Sequence, residues 1–323
     1  MSEKSVKKPI FIVGMPRSGT TLMSAILSAH PRIAISPESH FLRYWIKRYS
    51  NKDFSDPENF DGFWRKFIKN ERFAHFGVTP EAVKAHLKTQ SDLNLMTIFD
   101  SFLAEYSRVM EKPRWGEKTP DHYQYIETLF EWYPNAQVIW MLRDPRAVVS
   151  SLAAVPWAKS CTDLHTRVWV RSLSPMEDWA KDSRVKVVQY EKLVTETERM
   201  LCEICDFLSE TYTPEMINRS QNSQPILNHD QWERTHLQKT LQPIDSSSLD
   251  KWKSKLSIQE ISIIEHLARS AMLDYGYQPH TQVLNRWRLL RFNVMKARRK
   301  FNRYMADKLQ PSPVDPLTSY SDI

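Results

Sequence analysis

The stretch Pro9-Ile10-Phe11-Ile12-Val13-Gly14-Met15-Pro16-Arg17-Ser18-Gly19-Thr20-Thr21 decides how the rest of the chain is read. An apolar run of strand length ends in a glycine-bounded loop, and a helix-compatible segment follows from Thr20 to Ala29. Strand, tight loop and helix together aim backbone N–H groups and a positive helix end at a phosphate. The spacing is that of the Walker loop, G-x-x-x-x-G, but Thr20-Thr21 stand where that motif needs Lys-Ser/Thr. The lysine that reaches the terminal phosphates of ATP is missing, and Arg17 sits inside the loop instead. The loop is expected to hold a nucleotide phosphate without being an ordinary ATPase.

Working outward, Arg32 to Ile35 is a short β-prone run, followed by Ser36-Pro37-Glu38-Ser39-His40. A right-handed crossover through the first helix makes this strand parallel to the first. Glu38 then returns to the sheet edge that carries the glycine loop, where ligands of open parallel sheets bind. By residue type alone Glu38 is a solvated loop carboxylate; its placement argues for function.

Residues 41–112 are aromatic and irregular, with a helical period from Met96 to Met110, and read as an insertion over the site. They serve either an acceptor pocket or a satellite core of aromatics. Arg114 to Pro120 is an extended piece before a helix from Asp121 to Trp132, and Gln137 to Leu142 suits a central strand buried on both faces. Arg143-Asp144-Pro145-Arg146 follows at once, with Pro145 placed to start a helix that carries Ser150 and Ser151. Helices are expected at 161–179, 191–208 and 257–275, with a strand at 185–190.

The net charge of +7 is local. Residues 286–308 hold nine Lys/Arg against Asp307, a balance of +8, so the rest of the chain is near −1 and offers no nucleic-acid groove. That basic segment either meets anionic lipid headgroups, a weak membrane-surface contact, or packs back through Trp287, Leu290 and Phe301, which is the preferred reading. No apolar run reaches the roughly 18 residues of a transmembrane helix, and the charged stretch from Met1 to Lys8 leaves no room for a signal region. Three cysteines argue for a reducing compartment, so the cytoplasm is expected. Cys202-Glu203-Ile204-Cys205 is formally C-x-x-C, but Leu201, Ile204, Cys205 and Leu208 share a helical face, which makes Cys205 core filling. No metal-ligand cluster is evident, and His30, His40 and His122 read first as structural or solvated.

Two motifs, Gly14 to Thr21 and Leu142-Arg143-Asp144-Pro145-Arg146-Ala147-Val148-Val149-Ser150-Ser151, resemble the nucleotide motifs of sulfotransferases. These enzymes use 3′-phosphoadenosine 5′-phosphosulfate (PAPS) and release the bisphosphate PAP. The chain is similar to the bacterial branch that also includes tyrosylprotein sulfotransferases, over about residues 9 to 276. The resemblance implies a P-loop-like α/β fold of three layers, a central parallel sheet flanked by helices. Residues 9–276 would form the domain, between a tail at 1–8 and a basic helix with flexible tail at 277–323.

The resemblance also implies roles. Arg17, Ser18, Gly19, Thr20 and Thr21 would grip the 5′-phosphosulfate, and Arg143 with Ser151 the 3′-phosphate. Glu38 falls at the catalytic base, and Lys118 at a lysine that contacts the sulfuryl and leaving phosphate oxygens. Tyr190 and Lys251-Trp252 would flank the nucleotide. Thr235, across a one-residue gap, falls near a serine by the leaving group. Where tyrosylprotein enzymes have an arginine two residues after the base, this chain has His40.

The expectation is sulfuryl transfer to the hydroxyl of a small or medium-sized acceptor, small molecule or peptide, with Glu38 as general base and no metal. Charge stabilisation and in-line positioning do the chemistry, as in phosphoryl transfer. The alternatives are a P-loop-type small-molecule kinase, against which the missing lysine speaks, and a non-catalytic nucleotide-binding protein.

Overall fold

The computed structural model describes residues 8–155, 158, 161–218 and 242–281. Five strands form one parallel sheet: β1 (Ile10–Gly14), β2 (Ile33–Ser36), β3 (Arg114–Lys118), β4 (Gln137–Leu142) and β5 (Val185–Gln189). Their spatial order is β2-β3-β1-β4-β5. The crossover from β1 therefore skips a position, which β3 later fills. The order brings the C-terminal ends of all five strands to one edge, in the sequence Glu38, Lys118, Arg17, Arg143, Tyr190.

Alternation along each strand makes the layers. Ile10 and Ile12 of β1, Ile33 and Ile35 of β2 and Ile139 and Met141 of β4 share one apolar core with Met23, Ile26 and Leu27 of α1 (Thr20–Ala29). The opposite face carries Phe11, with its ring 6.0 Å from Trp115 and 5.9 Å from Tyr133, and Trp140, 5.3 Å from Tyr123. A buried parallel sheet with helices on both faces is the three-layer α/β arrangement expected from the sequence.

Residues 41–112 hold a π-helical turn at Leu42–Ile46 and the helices α2 (Lys47–Tyr49), α3 (Pro57–Lys69), α4 (Glu71–Ala74), α5 (Pro80–Leu87) and α6 (Leu95–Val109). Their aromatics are spent on packing. Phe67 is buried and meets Phe41, Phe63, Phe73 and Phe102 at centroid distances of 5.1–5.7 Å. This part of the insertion is a satellite core.

The segment after β3 opens as a 3-10 turn over Pro120–Tyr125 before α7 (Ile126–Trp132), where one helix was expected. Pro145 starts α8 (Pro145–Leu152) behind an Asp144 cap, and α9 runs over Thr162–Trp179. The helix expected over 191–208 is two, α10 (Tyr190–Thr195) and α11 (Thr197–Leu208), broken at Glu196. The Thr195 hydroxyl donates back to the Glu191 carbonyl at 2.9 Å, a local bond that competes with helix continuation. Cys205 is buried in the main core, as its helical face implies.

The chain divides into two compact units, Met1–Arg143 with Ser174–Ser248 and Asp144–Leu173 with Leu249–Ile323. The stretch 9–276, read as one domain, contributes to both. The first holds the sheet. The second holds α8, α12 (Lys251–Lys255) and α13 (Ile258–Asp274), whose core joins Ala147, Val149, Trp252, Leu256, Ile261 and Ile264. Thr235 and the basic segment 286–308 lie outside the described residues.

Candidate active site

The glycine loop closes with Ser18 N–H donating to the Met15 carbonyl at 3.1 Å, and it needs both glycines. Gly14 has φ 137°, and a Cβ there would stand 2.4 Å from the Met141 carbonyl oxygen of β4. Gly19 has φ 96° and caps α1; a Cβ there would stand 2.4 Å from the Tyr190 ring. Only glycine takes such backbone without strain and lets neighbours this close. Arg17 also has positive φ, 75°, a strain that collects at ligand sites. Ser18 and Thr20 are buried, and Arg17 and Thr21 half-buried.

Arg143, one residue past β4, reaches back and donates from Nη1 to the Arg17 carbonyl at 3.1 Å. Its guanidinium lies over the Tyr190 ring, 4.0 Å from the centroid, and the Tyr190 hydroxyl is 2.7 Å from Ser248 Oγ. Burial, and then the charge of Arg143, bring the Arg17 guanidinium down to about 10, while Glu38 works the other way. Two half-buried arginines that repel each other beside an open helix start are a pair that a bound anion would relieve. These residues therefore fit a phosphate-bearing ligand.

Two strands away, Lys118 Nζ pairs with Glu38 Oε1. His40 Nε2 is 3.2 Å from Glu38 Oε2, and its Nδ1 is 3.5 Å from Asp121 Oδ1. Arg43 Nη1 donates to Asp121 Oδ2 at 3.3 Å. Burial works to raise the Glu38 pKa, but the charge of Lys118, the bond and charge of His40, and the charge of Arg72 hold it well below the usual carboxylate range. Glu38 is thus ionised.

A second carboxylate anchors the loop behind it. Buried Glu117 accepts from Ser39 N–H at 3.2 Å and Ser39 Oγ at 2.8 Å through Oε1, while Oε2 meets His122 Nδ1 at 3.0 Å. Burial would raise its pKa too, and His122 with the two hydroxyls of Thr119 and Ser39 keeps it low. His122 is therefore structural. His30 is as well: its Nε2 meets the Thr211 carbonyl at 2.9 Å, so it donates there, and Nδ1 accepts from Arg32 N–H at 3.2 Å.

The sheet order thus gathers Glu38, Lys118, Arg17, Arg143 and Tyr190 on one edge. In the second unit, Ser151 is half-buried on α8 and Lys251 exposed at the start of α12. Trp252 is 4% exposed, with the Arg146 guanidinium 4.2 Å from its ring centroid, so packing occupies it. Asp121, Glu117 and Ser248 were not singled out from the sequence. Asp121 lies three residues after Lys118 in Lys118-Thr119-Pro120-Asp121, and the proline-led turn there was its one local signal.

A sequence profile of the Sulfotransferase family matches residues 9–214. Protein-tyrosine sulfotransferase A of Caenorhabditis elegans is 26% identical over 285 residues, 85% of this chain and 69% of that protein. The Drosophila melanogaster protein-tyrosine sulfotransferase is 25% identical, across 84% of this chain but only 52% of its own length. Nodulation protein NoeE of Sinorhizobium fredii is 23% identical, across 84% of this chain and 66% of its own length. This chain therefore spans between about half and two thirds of these relatives. Among solved structures, the sulfotransferase domain of the Synechococcus PCC 7002 olefin synthase has the same fold, with a TM-score of 0.54 at 24% identity. That likeness covers 83% of this chain and 98% of that one. With the profile running from β1 past α11, the chain belongs to the sulfotransferase family of enzymes.

Proposed function

We propose that this chain transfers the sulfuryl group of PAPS to the hydroxyl of a small or medium-sized acceptor, with Glu38 as general base. The observation that carries the reading is the ionised Glu38 beside Lys118, on the sheet edge that also bears the glycine loop. The donor, when bound, supplies an activated sulfuryl group on a phosphate leaving group. Arg17 and the loop N–H groups hold the 5′ end, and Arg143 answers the 3′-phosphate. Lys118 supplies positive charge where the leaving phosphate gains negative charge, the kind of contact that is worth about 3 kcal/mol.

Glu38 removes the acceptor proton. A carboxylate with so low a pKa takes that proton late, once the acceptor oxygen has become acidic by bonding to sulfur. The fixed charges around it mean that little has to reorganise during the reaction.

The kinase alternative is disfavoured by the absent Walker lysine and by an arginine at the end of β4. The test is Glu38→Gln, assayed for PAP binding by calorimetry and for turnover against a panel of phenols, alcohols and sugars. Donor-site binding should stay within about threefold while turnover falls by about 10²–10⁴-fold. A Glu38→Gln enzyme as fast as the parent would remove Glu38 as base. Tighter binding of ATP than of PAP would favour the kinase.

A further inference from the structure

Glu38 has two oxygens and two side-chain partners. Lys118 takes Oε1, and His40 takes Oε2 at 3.2 Å. Its other nitrogen, Nδ1, lies 3.5 Å from Asp121 Oδ1, an ion-pair distance at which no hydrogen bond is made. A neutral imidazole carries one N–H, so one of these carboxylates would face a lone pair. Only the imidazolium serves both.

The backbone supports this orientation. His40 lies at φ 48°, in the left-handed region, where histidine is among the more tolerated residues. Ser39 N–H is held by Glu117 Oε1 at 3.2 Å, His40 N–H donates to Thr119 Oγ1 at 3.4 Å, and Phe41 N–H donates to Ser39 Oγ at 3.1 Å. Three consecutive N–H groups are thus tied around one strained residue. Such over-determined backbone recurs where a site needs a fixed side chain.

We propose that His40 is a positioning residue: its imidazolium clamps the Glu38 carboxylate against Asp121, so that turnover requires His40 to carry its proton. The proposal rests on the reading of Glu38 as base. The charged groups around His40 are Glu38 and Asp121, with Lys118 and Arg72 acting on Glu38 and Arg43 and His122 acting on Asp121. The ring of Tyr44 lies 5.8 Å away. Burial alone would drive the imidazole neutral, yet the two carboxylates raise it to about 9. The charged form therefore persists below about 9 and is lost as pH rises through that value. While Lys118 serves the leaving phosphate, His40 keeps the base ionised and in place. A carboxylate base alone gives activity lost only toward acid. This site adds a loss toward alkali.

The experiment is a carbon-13 histidine NMR titration of the full chain, with the His40 signal assigned by its absence from His40→Gln. Turnover of the fluorescent phenol umbelliferone is followed beside it. The expected result is a His40 that titrates near 9 and shifts toward the ordinary histidine range in Asp121→Asn. His40→Gln should lose about 10²-fold in kcat with little change in the KM for PAPS, as a misplaced catalytic group does. His40→Arg, a cation at every accessible pH, should recover most of that rate and abolish the alkaline fall. A His40 that titrates at or below the ordinary value, or a His40→Gln enzyme with the parent's kcat and alkaline limb, overturns the proposal. Should Glu38→Gln alone keep full turnover, the base reading fails instead, and the titration still decides whether His40 is charged.

Discussion

The Arg143 guanidinium stacks on the Tyr190 ring at 4.0 Å, joining the ends of β4 and β5 across a register in which Leu142 pairs with Gln189. The stack fixes a cation at the end of β4, beyond the glycine loop on this edge. An arginine held by its flat face keeps its N–H groups in plane for a bidentate anion.

Arg143→Ala should therefore weaken PAP binding by about 30-fold, the worth of one charge-assisted contact of about 2 kcal/mol. Adenosine 5′-phosphosulfate, which lacks the 3′-phosphate, should bind parent and variant alike. Calorimetry with the two nucleotides reads this directly. Equal losses for both would mean that Arg143 serves the loop and not the 3′-phosphate.

Gly19→Ala brings together two faults, a side chain at φ 96° and a Cβ 2.4 Å from the Tyr190 ring. The strain alone costs about 1–3 kcal/mol. Urea unfolding should show that loss, and PAP affinity should fall with it, because a displaced Tyr190 moves Arg143. A variant with the parent's stability would show that the loop does not press on Tyr190.

The second unit holds a buried ionic clasp. Arg146 pairs with Asp144 and Glu265, each at 2.7 Å, donates to the Gln278 carbonyl at 3.0 Å and lies over Trp252. Glu265 also accepts from the N–H groups of His280 and Thr281, both at 2.7 Å. Arg146→Met takes the buried cation away from two carboxylates and should cost about 3–5 kcal/mol in chemical denaturation. A loss below about 1 kcal/mol would mean the clasp is solvated. Burial would raise Glu265, but its bonds to Thr281, His280 and Arg146 lower it, so its stabilisation holds above the ordinary carboxylate range and fades as pH falls through its depressed value.

Much of this was legible in the chain itself, because it depends on near neighbours. The β1–loop–α1 unit, the apolar β4 with Pro145 behind it and the helical face that buries Cys205 all rest on spacings of a few residues. The break at Glu196 was not legible, since Tyr190 to Leu208 has no proline or glycine, yet Glu196 leaves the helical region at φ −129° and ψ 43°. Nor was the fate of the aromatics in 41–112. Composition allows a pocket or a core equally, and only packed ring distances distinguish them.

The sequence by itself determined the glycine loop, the apolar strand that ends just before Arg143 and the absence of the ATPase lysine, since each is a matter of residue type and local spacing. The tertiary structure decided what Glu38 touches. Placing β3 between β2 and β1 brings Lys118 to Glu38 across 80 positions of chain, and the turn after β3 carries Asp121 to the far side of His40. Strand order is set by how whole faces bury against one another, a sum over many contacts, so no single stretch of sequence contains it.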